Sequence, residues 1–128
     1  MPRVAKGNLA AAFIFAWEGI AYVVHTQRNM RIHLGVATVV LLTAGALRVS
    51  RIELAILLLC IMAVTALEML NTVVEAAVDL ATEEYDARAK VAKDVAAGAV
   101  LATSVGAALI GVLILGPHLL RVLPLSRI

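Results

Sequence analysis

Residues 54–79 read LAILLLCIMAVTALEMLNTVVEAAVD, and this stretch decides the fold. Its first part, from Leu54 to Leu67, carries no charge and covers about 21 Å of helix at 1.5 Å per residue. That length is shorter than the roughly 30 Å hydrocarbon core of a bilayer. We therefore expect Glu68 to lie near or just within one membrane boundary, with the helix continuing outward through Asp79.

The composition of the whole chain indicates a membrane protein. Its 128 residues are 62% hydrophobic, with a mean hydropathy of +0.98, whereas soluble domains are roughly 45–50% apolar. A single domain of this length cannot hide so much apolar surface, so lipid must cover part of it. The net charge of +2 is small and scattered, which argues against nucleic-acid binding. The single cysteine, Cys60, excludes a disulfide framework, and we interpret it as a packing residue, like His33 and His118.

The hydropathy pattern predicts an all-α integral membrane protein in which residues 1–128 form one domain. An amphipathic helix at about residues 4–25, with Trp17 and Tyr22, suits the membrane interface, although the same pattern fits a helix packed on the protein's own bundle. The N-terminal residues lack the pattern of a signal peptide, so we expect the later spans to remain in the mature protein. Three transmembrane helices are predicted at residues 32–49, 53–80 and 94–120.

The distribution of basic residues predicts the orientation. One set precedes the first span or lies between the second and third: Arg3, Lys6, Arg28, Arg31, Arg88, Lys90 and Lys93. A smaller set lies on the other side: Arg48, Arg51, Arg121 and Arg127. Because cytoplasmic loops carry an excess of Lys and Arg, we expect the N-terminus and the charged loop 82–94 to be cytoplasmic.

A row of polar side chains follows the apolar part of the second span. The row consists of Glu68, Asn71, Glu75 and Asp79. Helical geometry places all four within an arc of roughly 80° over about 16 Å. Acids stacked at one-turn intervals repel each other, so something must neutralise them. The candidates are a divalent cation, Lys93 and Arg88 from the following loop, or both.

These polar residues also have purely structural interpretations. Glu68 can stabilise a helix bundle, although an ionisable group at that depth is costly and indicates function. Glu75 and Asp79 fit a solvated helix face, and Lys93 and Asp94 fit the polar start of the third span, with Asp94 as its N-cap. The chain has no Walker loop, glycine-rich phosphate loop or zinc-binding spacing. Any nucleotide site must therefore be built from these side chains.

The row and the segment after it resemble the prokaryotic diacylglycerol kinase family. The shared motif is E-x-x-N-x-x-x-E-x-x-x-D over Glu68–Asp79, followed by Ala92-Lys93-Asp94, and the resemblance covers nearly the whole chain. The segments Trp17–Ile20 (WEGI) and Arg28–Leu34 (RNMRIHL) are more similar to the undecaprenol kinase branch. The resemblance implies a homotrimer in the bacterial cytoplasmic membrane. It also implies Mg²⁺, ATP as donor and a membrane lipid alcohol as acceptor.

The same resemblance implies a role for each matching position. Glu68 is the general base for the lipid hydroxyl, and Glu75 ligates the metal. Gln27 stands where the family commonly has a second metal-binding glutamate, and an amide oxygen is a weaker, uncharged ligand. The implied nucleotide-binding residues are Asn71, Asp79, Lys93, Asp94 and Gly19.

The leading hypothesis is ATP-dependent phosphorylation of a lipid alcohol, with undecaprenol favoured over diacylglycerol as the acceptor. A small proton-coupled transporter is the alternative from another class, but such a protein would carry its acid deep within a span. A non-enzymatic membrane adaptor is a third class, and it would not require this set of polar residues together: Glu68, Asn71, Glu75 and Lys93.

Overall fold

The computed structural model describes residues 8–123, which form four helices. The helices are α1 (Leu9–Thr26), α2 (Arg28–Ala46), α3 (Arg51–Ala81) and α4 (Ala87–Val122). No strand occurs within this range, so the predicted all-α class is confirmed. The first residues of the predicted N-terminal helix, 4–7, lie outside the described part of the chain.

Each of the four helices is long and apolar enough to cross a membrane, whereas the sequence predicted three spans and one amphipathic surface helix. The amphipathic character of α1 is not confirmed. Val23 is the buried residue of this helix, while Leu9, Phe13 and Trp17 are exposed. The helix therefore presents apolar surface that lipid or another protein must cover.

Two helices begin earlier than predicted. The helix α2 starts at Arg28 instead of residue 32, and α4 starts at Ala87 instead of residue 94. The predicted boundaries followed the change from charged to apolar residues, but helices that project beyond the hydrocarbon core keep charged turns in water. Most of the predicted loop 82–94 is consequently helical, and the N-cap of α4 is Asp86 instead of Asp94.

Side-chain caps fix the starts of the two longest helices. The Asp86 carboxylate accepts hydrogen bonds from the backbone N–H groups of Arg88 and Ala89, at 2.6 and 3.2 Å. At the start of α3, the Ser50 hydroxyl accepts from the Glu53 N–H at 3.2 Å, and the Glu53 carboxylate accepts from the Ser50 N–H at 2.7 Å. This reciprocal capping box satisfies donors that a helix start leaves without partners.

The antiparallel pair α3 and α4 forms the main packing unit of the fold. The helix α2 packs against α3, and α1 packs against α2 and α3. With 31 and 36 residues, α3 and α4 are about 46 and 54 Å long, so both exceed the hydrocarbon core. Only the short turn 82–86 connects them. Their connected ends, which carry the charged residues Asp79 and Lys93, are the ends that we expect to project beyond the membrane together.

The opposite end of the bundle is closed by apolar packing and one polar pair. Ala44, Leu57 and Leu115 form a buried cluster contributed by α2, α3 and α4. Beside it, His118 Nε2 lies 3.1 Å from Glu53 Oε1, which joins the end of α4 to the start of α3. The sequence predicts a packing role for His118, but this residue makes a polar contact instead.

A single residue, Gln27, separates α1 from α2. The Arg31 guanidinium reaches back across this junction and donates to the carbonyl oxygens of Val24 and His25, at 3.2 and 2.8 Å. These carbonyls belong to the last turn of α1, where intrahelical partners are missing and a positive charge is favourable. Arg31 thereby fixes the position of Gln27 between the two helices.

Candidate active site

Glu68 is buried, with only 1% of its surface exposed. Its Oε2 atom has no hydrogen-bond partner among residues 8–123. The backbone around it is ordinary helix, in which the Thr72 hydroxyl donates to the Glu68 carbonyl oxygen at 3.0 Å. Burying a carboxylate without a partner is costly, so its presence indicates a function other than packing.

A polar chamber of about 250 Å³ lies beside Glu68, between α2, α3 and α4. Two further buried oxygens, Asn71 Oδ1 and Ser104 Oγ, also lack hydrogen-bond partners within the described residues. Buried polar atoms are nearly always satisfied in folded proteins, so three such atoms around one cavity indicate a site for a polar ligand. The chamber is lined by Asn29, Ile32, His33, Glu68, Asn71, Ala97, Val100, Leu101 and Ser104.

One turn beyond Glu68, Asn71 is linked to Glu75. The Asn71 amide Nδ2 donates to Glu75 Oε1 at 3.2 Å, which orients both side chains. Glu75 is half-buried, and its second carboxylate oxygen makes no hydrogen bond within the described residues. A chain of contacts therefore leads from the chamber toward the projecting end of α3.

Ion pairs occupy the outer part of the site. Lys93 Nζ lies 2.5 Å from Asp79 Oδ1, and Lys90 pairs with Asp94 within α4. Lys93 thus neutralises one acid of the row, whereas Arg88 forms no ion pair in the part of the chain that the structure describes. Exposed ion pairs contribute little to stability, so phosphate groups can displace these partners at low cost.

Two predicted site residues lie on or next to α1. Gly19 lies in the middle of that helix with open space around it, and Gln27 lies half-buried at the junction with α2. Neither lines the chamber around Glu68, and nor does Asp94. The structure therefore places Glu68 and Asn71 on one chamber and joins Asn71 to Glu75 and Asp79 to Lys93, but it leaves Gly19, Gln27 and Asp94 apart from this set.

The donor set near Glu75 fits a magnesium ion that arrives with a nucleotide. Residues 8–123 contain no cluster of three acidic, histidine or cysteine side chains able to hold a metal by themselves. Magnesium in kinases usually takes one or two carboxylates together with phosphate oxygens and water. The half-buried Glu75 and the unpartnered Asn71 Oδ1 offer such a partial set.

Three residues of the chamber, Asn29, His33 and Ser104, are not marked as site residues by the sequence motif. Asn29 and His33 lie four residues apart on α2, a spacing that places both on one helix face, and this spacing is visible in the sequence. Ser104 lies within an apolar span, where serines often bond to their own helix. Its position in the chamber becomes apparent only once α4 is packed against α3.

Residues 14–115 match the family model described as prokaryotic diacylglycerol kinase. The chain belongs to this family. Family membership makes it a membrane-integral lipid kinase that uses ATP, and the transporter and adaptor hypotheses are therefore not carried further.

Two relatives with different names are similar to this kinase. A protein of Synechocystis sp. (strain PCC 6803), named diacylglycerol kinase, is 42% identical over 117 residues, covering 91% of this chain and 67% of that relative. A protein of Bacillus subtilis (strain 168), named undecaprenol kinase, is 41% identical over 108 residues, covering 84% of this chain and 88% of that relative. These nearly equal identities do not distinguish between the two acceptors.

Proposed function

We propose that this kinase phosphorylates undecaprenol at the cytoplasmic boundary of the membrane, with Mg²⁺-ATP as donor. The observation that carries this proposal is the buried carboxylate of Glu68 beside a polar chamber. The Oε2 atom of this carboxylate has no hydrogen-bond partner among the described residues. An acid at this depth can reach the hydroxyl of a lipid whose hydrocarbon part stays in the bilayer. A water-soluble acceptor would not require such a position.

Glu68 acts as the general base in the proposed reaction. The acceptor hydroxyl gives its proton to Glu68 while its oxygen forms a bond to the γ-phosphorus of ATP. The bond between that phosphorus and the oxygen bridging to the β-phosphate breaks, and ADP leaves. Phosphoryl transfer depends mainly on alignment and on neutralising charge, so one base and a set of charged contacts are sufficient.

The projecting ends of α3 and α4 hold the nucleotide in this proposal. Glu75 is the metal ligand of the chain, and Asn71 orients its carboxylate through the hydrogen bond at 3.2 Å. Mg²⁺ supplies neutralisation of charge on the β- and γ-phosphates when it is bound. Lys93 exchanges Asp79 for a phosphate, because an exposed ion pair opens at little cost. Asp94, Gly19 and Gln27 are assigned to the nucleotide and metal contacts by family resemblance alone.

Local sequence favours undecaprenol over diacylglycerol as the acceptor. The segments Trp17–Ile20 and Arg28–Leu34 are more similar to the undecaprenol kinase branch than to the diacylglycerol kinase branch. The second segment includes Asn29 and His33, which line the chamber beside Glu68. The branch similarity thus includes residues that adjoin the proposed base.

The proposed assembly is a homotrimer in the bacterial inner membrane, with α1 lying at the cytoplasmic interface. Large apolar side chains are exposed on all four helices, so the isolated chain has ample surface for both lipid and neighbouring subunits. The excess of basic residues at the Glu68 end of the bundle supports a cytoplasmic active site. Cross-linking in native membranes should give a ladder that ends at three subunits.

The assay that tests the proposed function measures transfer of labelled phosphate from ATP to lipids in mixed micelles. Undecaprenol and diacylglycerol are supplied separately to the purified kinase, and the Glu68→Gln variant controls for contaminating kinases. We expect a higher kcat/KM for undecaprenol. A preference for diacylglycerol would contradict the acceptor assignment, and failure to phosphorylate any lipid alcohol would contradict the proposed reaction.

A further inference from the structure

An apolar groove adjoins the polar chamber at Glu68. The groove has a volume of about 610 Å³ and extends between α2, α3 and α4 toward Leu119. It shares Ile32, His33 and Ser104 with the lining of the chamber, so these three residues form a neck between an apolar space and a polar one. A molecule with a polar end and a long hydrocarbon body fits this arrangement.

Ser104 differs in its hydrogen bonding from five threonines of the helices. Its Oγ atom is buried and has no partner within residues 8–123. Five threonine hydroxyls elsewhere donate to the backbone carbonyl four residues earlier, which is the usual arrangement within a helix. These threonines are Thr26, Thr38, Thr43, Thr65 and Thr72. The Ser104 hydroxyl is therefore left without a partner beside the neck that both cavities share.

The free atoms around the chamber match an alcohol. A hydroxyl group has one proton to donate and two lone pairs that accept. Glu68 Oε2 is a free acceptor for that proton, and Ser104 Oγ is a free donor for the oxygen. A hydrocarbon satisfies neither atom, and an ester carbonyl satisfies only the donor. The pair Glu68 and Ser104 therefore selects a hydroxyl at the polar end of a lipid.

We propose that Ser104 is a second binding residue for the acceptor: its hydroxyl donates to the acceptor oxygen while the acceptor proton faces Glu68. This inference rests on the proposed lipid-alcohol kinase reaction and adds to it a specificity-determining contact from α4. The contact lies at the neck that both cavities share, where the polar end of a lipid must stop if its chain occupies the groove.

The variant Ser104→Ala tests this contact, with Thr103→Ala as the matched control. Thr103 is the preceding residue on α4, and it lines neither the chamber nor the groove. We expect Ser104→Ala to raise the KM for the lipid alcohol about fivefold, the factor that loss of one neutral hydrogen bond gives. The KM for ATP should stay unchanged, and Thr103→Ala should leave both constants unchanged.

Two inhibitors separate the contact to oxygen from general packing. The methyl ether of the alcohol keeps the acceptor oxygen, so its inhibition constant should also rise about fivefold in Ser104→Ala. The matching hydrocarbon lacks the oxygen and should inhibit both forms equally. Alanine is a good helix former, and a thermal unfolding curve of the variant verifies that the fold is retained.

An unchanged lipid KM in Ser104→Ala would overturn the inference about Ser104. The proposed function would still hold in that case, provided that the wild-type protein phosphorylates the lipid. A parallel rise in the KM values for lipid and ATP would also overturn the inference about Ser104, because it would indicate a general disturbance of the site. Absence of any lipid phosphorylation by the wild type would instead contradict the proposed function, and with it the contact.

Discussion

At the scale of single residues, burial separates the acids of α3 into two chemical groups. Glu68 is shielded from water and lacks a partner within the described residues, whereas Asp79 is exposed and paired with Lys93. A shielded carboxylate suits proton transfer from a lipid hydroxyl, and an exposed one suits exchange of ions and phosphates. Glu75 lies between them in position and in exposure, which suits a ligand that faces both environments.

Replacing Glu68 by glutamine tests the role of the base. The substitution preserves shape but removes the group that accepts a proton, so we expect kcat to fall on the order of 10²- to 10⁴-fold. Oligomer size and helix content should not change, and both are checked by size-exclusion chromatography and circular dichroism. Glu84→Gln, in the exposed turn between α3 and α4, removes a carboxylate outside the site and should keep full activity. Retained turnover in Glu68→Gln would exclude Glu68 as the base.

Gln27 allows a test in the opposite direction, because its replacement should improve the enzyme. A carboxylate is a stronger magnesium ligand than an amide, so Gln27→Glu should lower the Mg²⁺ concentration for half-maximal rate roughly tenfold, equivalent to about 1.4 kcal/mol. Asn8→Asp adds the same charge at the opposite end of α1 and preserves its N-cap, so it serves as the control. An unchanged magnesium dependence would show that residue 27 does not face the metal.

Among the individual residues, the row on α3 could be derived from the sequence, but the full chamber could not. The spacing of Glu68, Asn71 and Glu75 is a property of one helix, and helical periodicity is sufficient to place them on one face. The contribution of Ser104 depends on how α4 packs against α3. Asn29 and His33 depend in turn on where α2 meets both helices, and no local pattern encodes that arrangement.

At the scale of helices, boundary positions show what hydropathy can predict. The apolar segments of α2, α3 and α4 were found because lipid requires them. The charged starts of α2 and α4 were assigned to connectors, since a hydropathy boundary marks the edge of the membrane and not the end of a helix. Capping residues are the better signal: Asp86 precedes α4, and Ser50 and Glu53 form the box at the start of α3.

The capping box at the start of α3 gives a stability prediction. Ser50→Ala removes one cap hydrogen bond and should lower the free energy of unfolding by about 1 kcal/mol, as measured by thermal or denaturant unfolding in detergent. Activity should remain, because Glu53 lies about 22 Å along the helix from Glu68. Thr43→Ala is the control, since its hydroxyl bonds only to Val39 in its own helix. Equal stability of both variants would show that the box contributes nothing.

At the scale of the whole molecule, polar contacts at the two ends identify which helix ends lie together. His118 and Glu53 join the end of α4 to the start of α3, and Lys93 and Asp79 join the opposite ends of the same pair. Asn29 on α2 lines the chamber near the second end. The proposed active site thus lies at the end that includes the start of α2 and the turn between α3 and α4.

The orientation of this site in the membrane can be tested with introduced cysteines. In a Cys60→Ala background, Glu84→Cys lies in the turn next to the site, and Arg51→Cys lies at the start of α3 on the other side. A membrane-impermeant maleimide applied to intact cells should label Arg51→Cys but not Glu84→Cys, because we propose that the active site is cytoplasmic. Permeabilised cells should show labelling at both positions. The reverse pattern in intact cells would contradict the cytoplasmic site.

The same labelling experiment shows whether α1 crosses the membrane or lies along its surface. Asn8 is the N-cap of α1 and Gln27 is its C-cap, so a label at residue 8 reports the position of the helix start. If α1 lies at the cytoplasmic interface, as we propose, Asn8→Cys should stay unlabelled in intact cells, like Glu84→Cys. If α1 crosses the bilayer, which its length and composition allow, Asn8→Cys should instead be labelled from outside. An 18-residue helix covers about 27 Å, nearly the full hydrocarbon core, so the two arrangements place residue 8 on opposite sides. Labelling of Asn8→Cys in intact cells would therefore replace the predicted three-span topology with four spans.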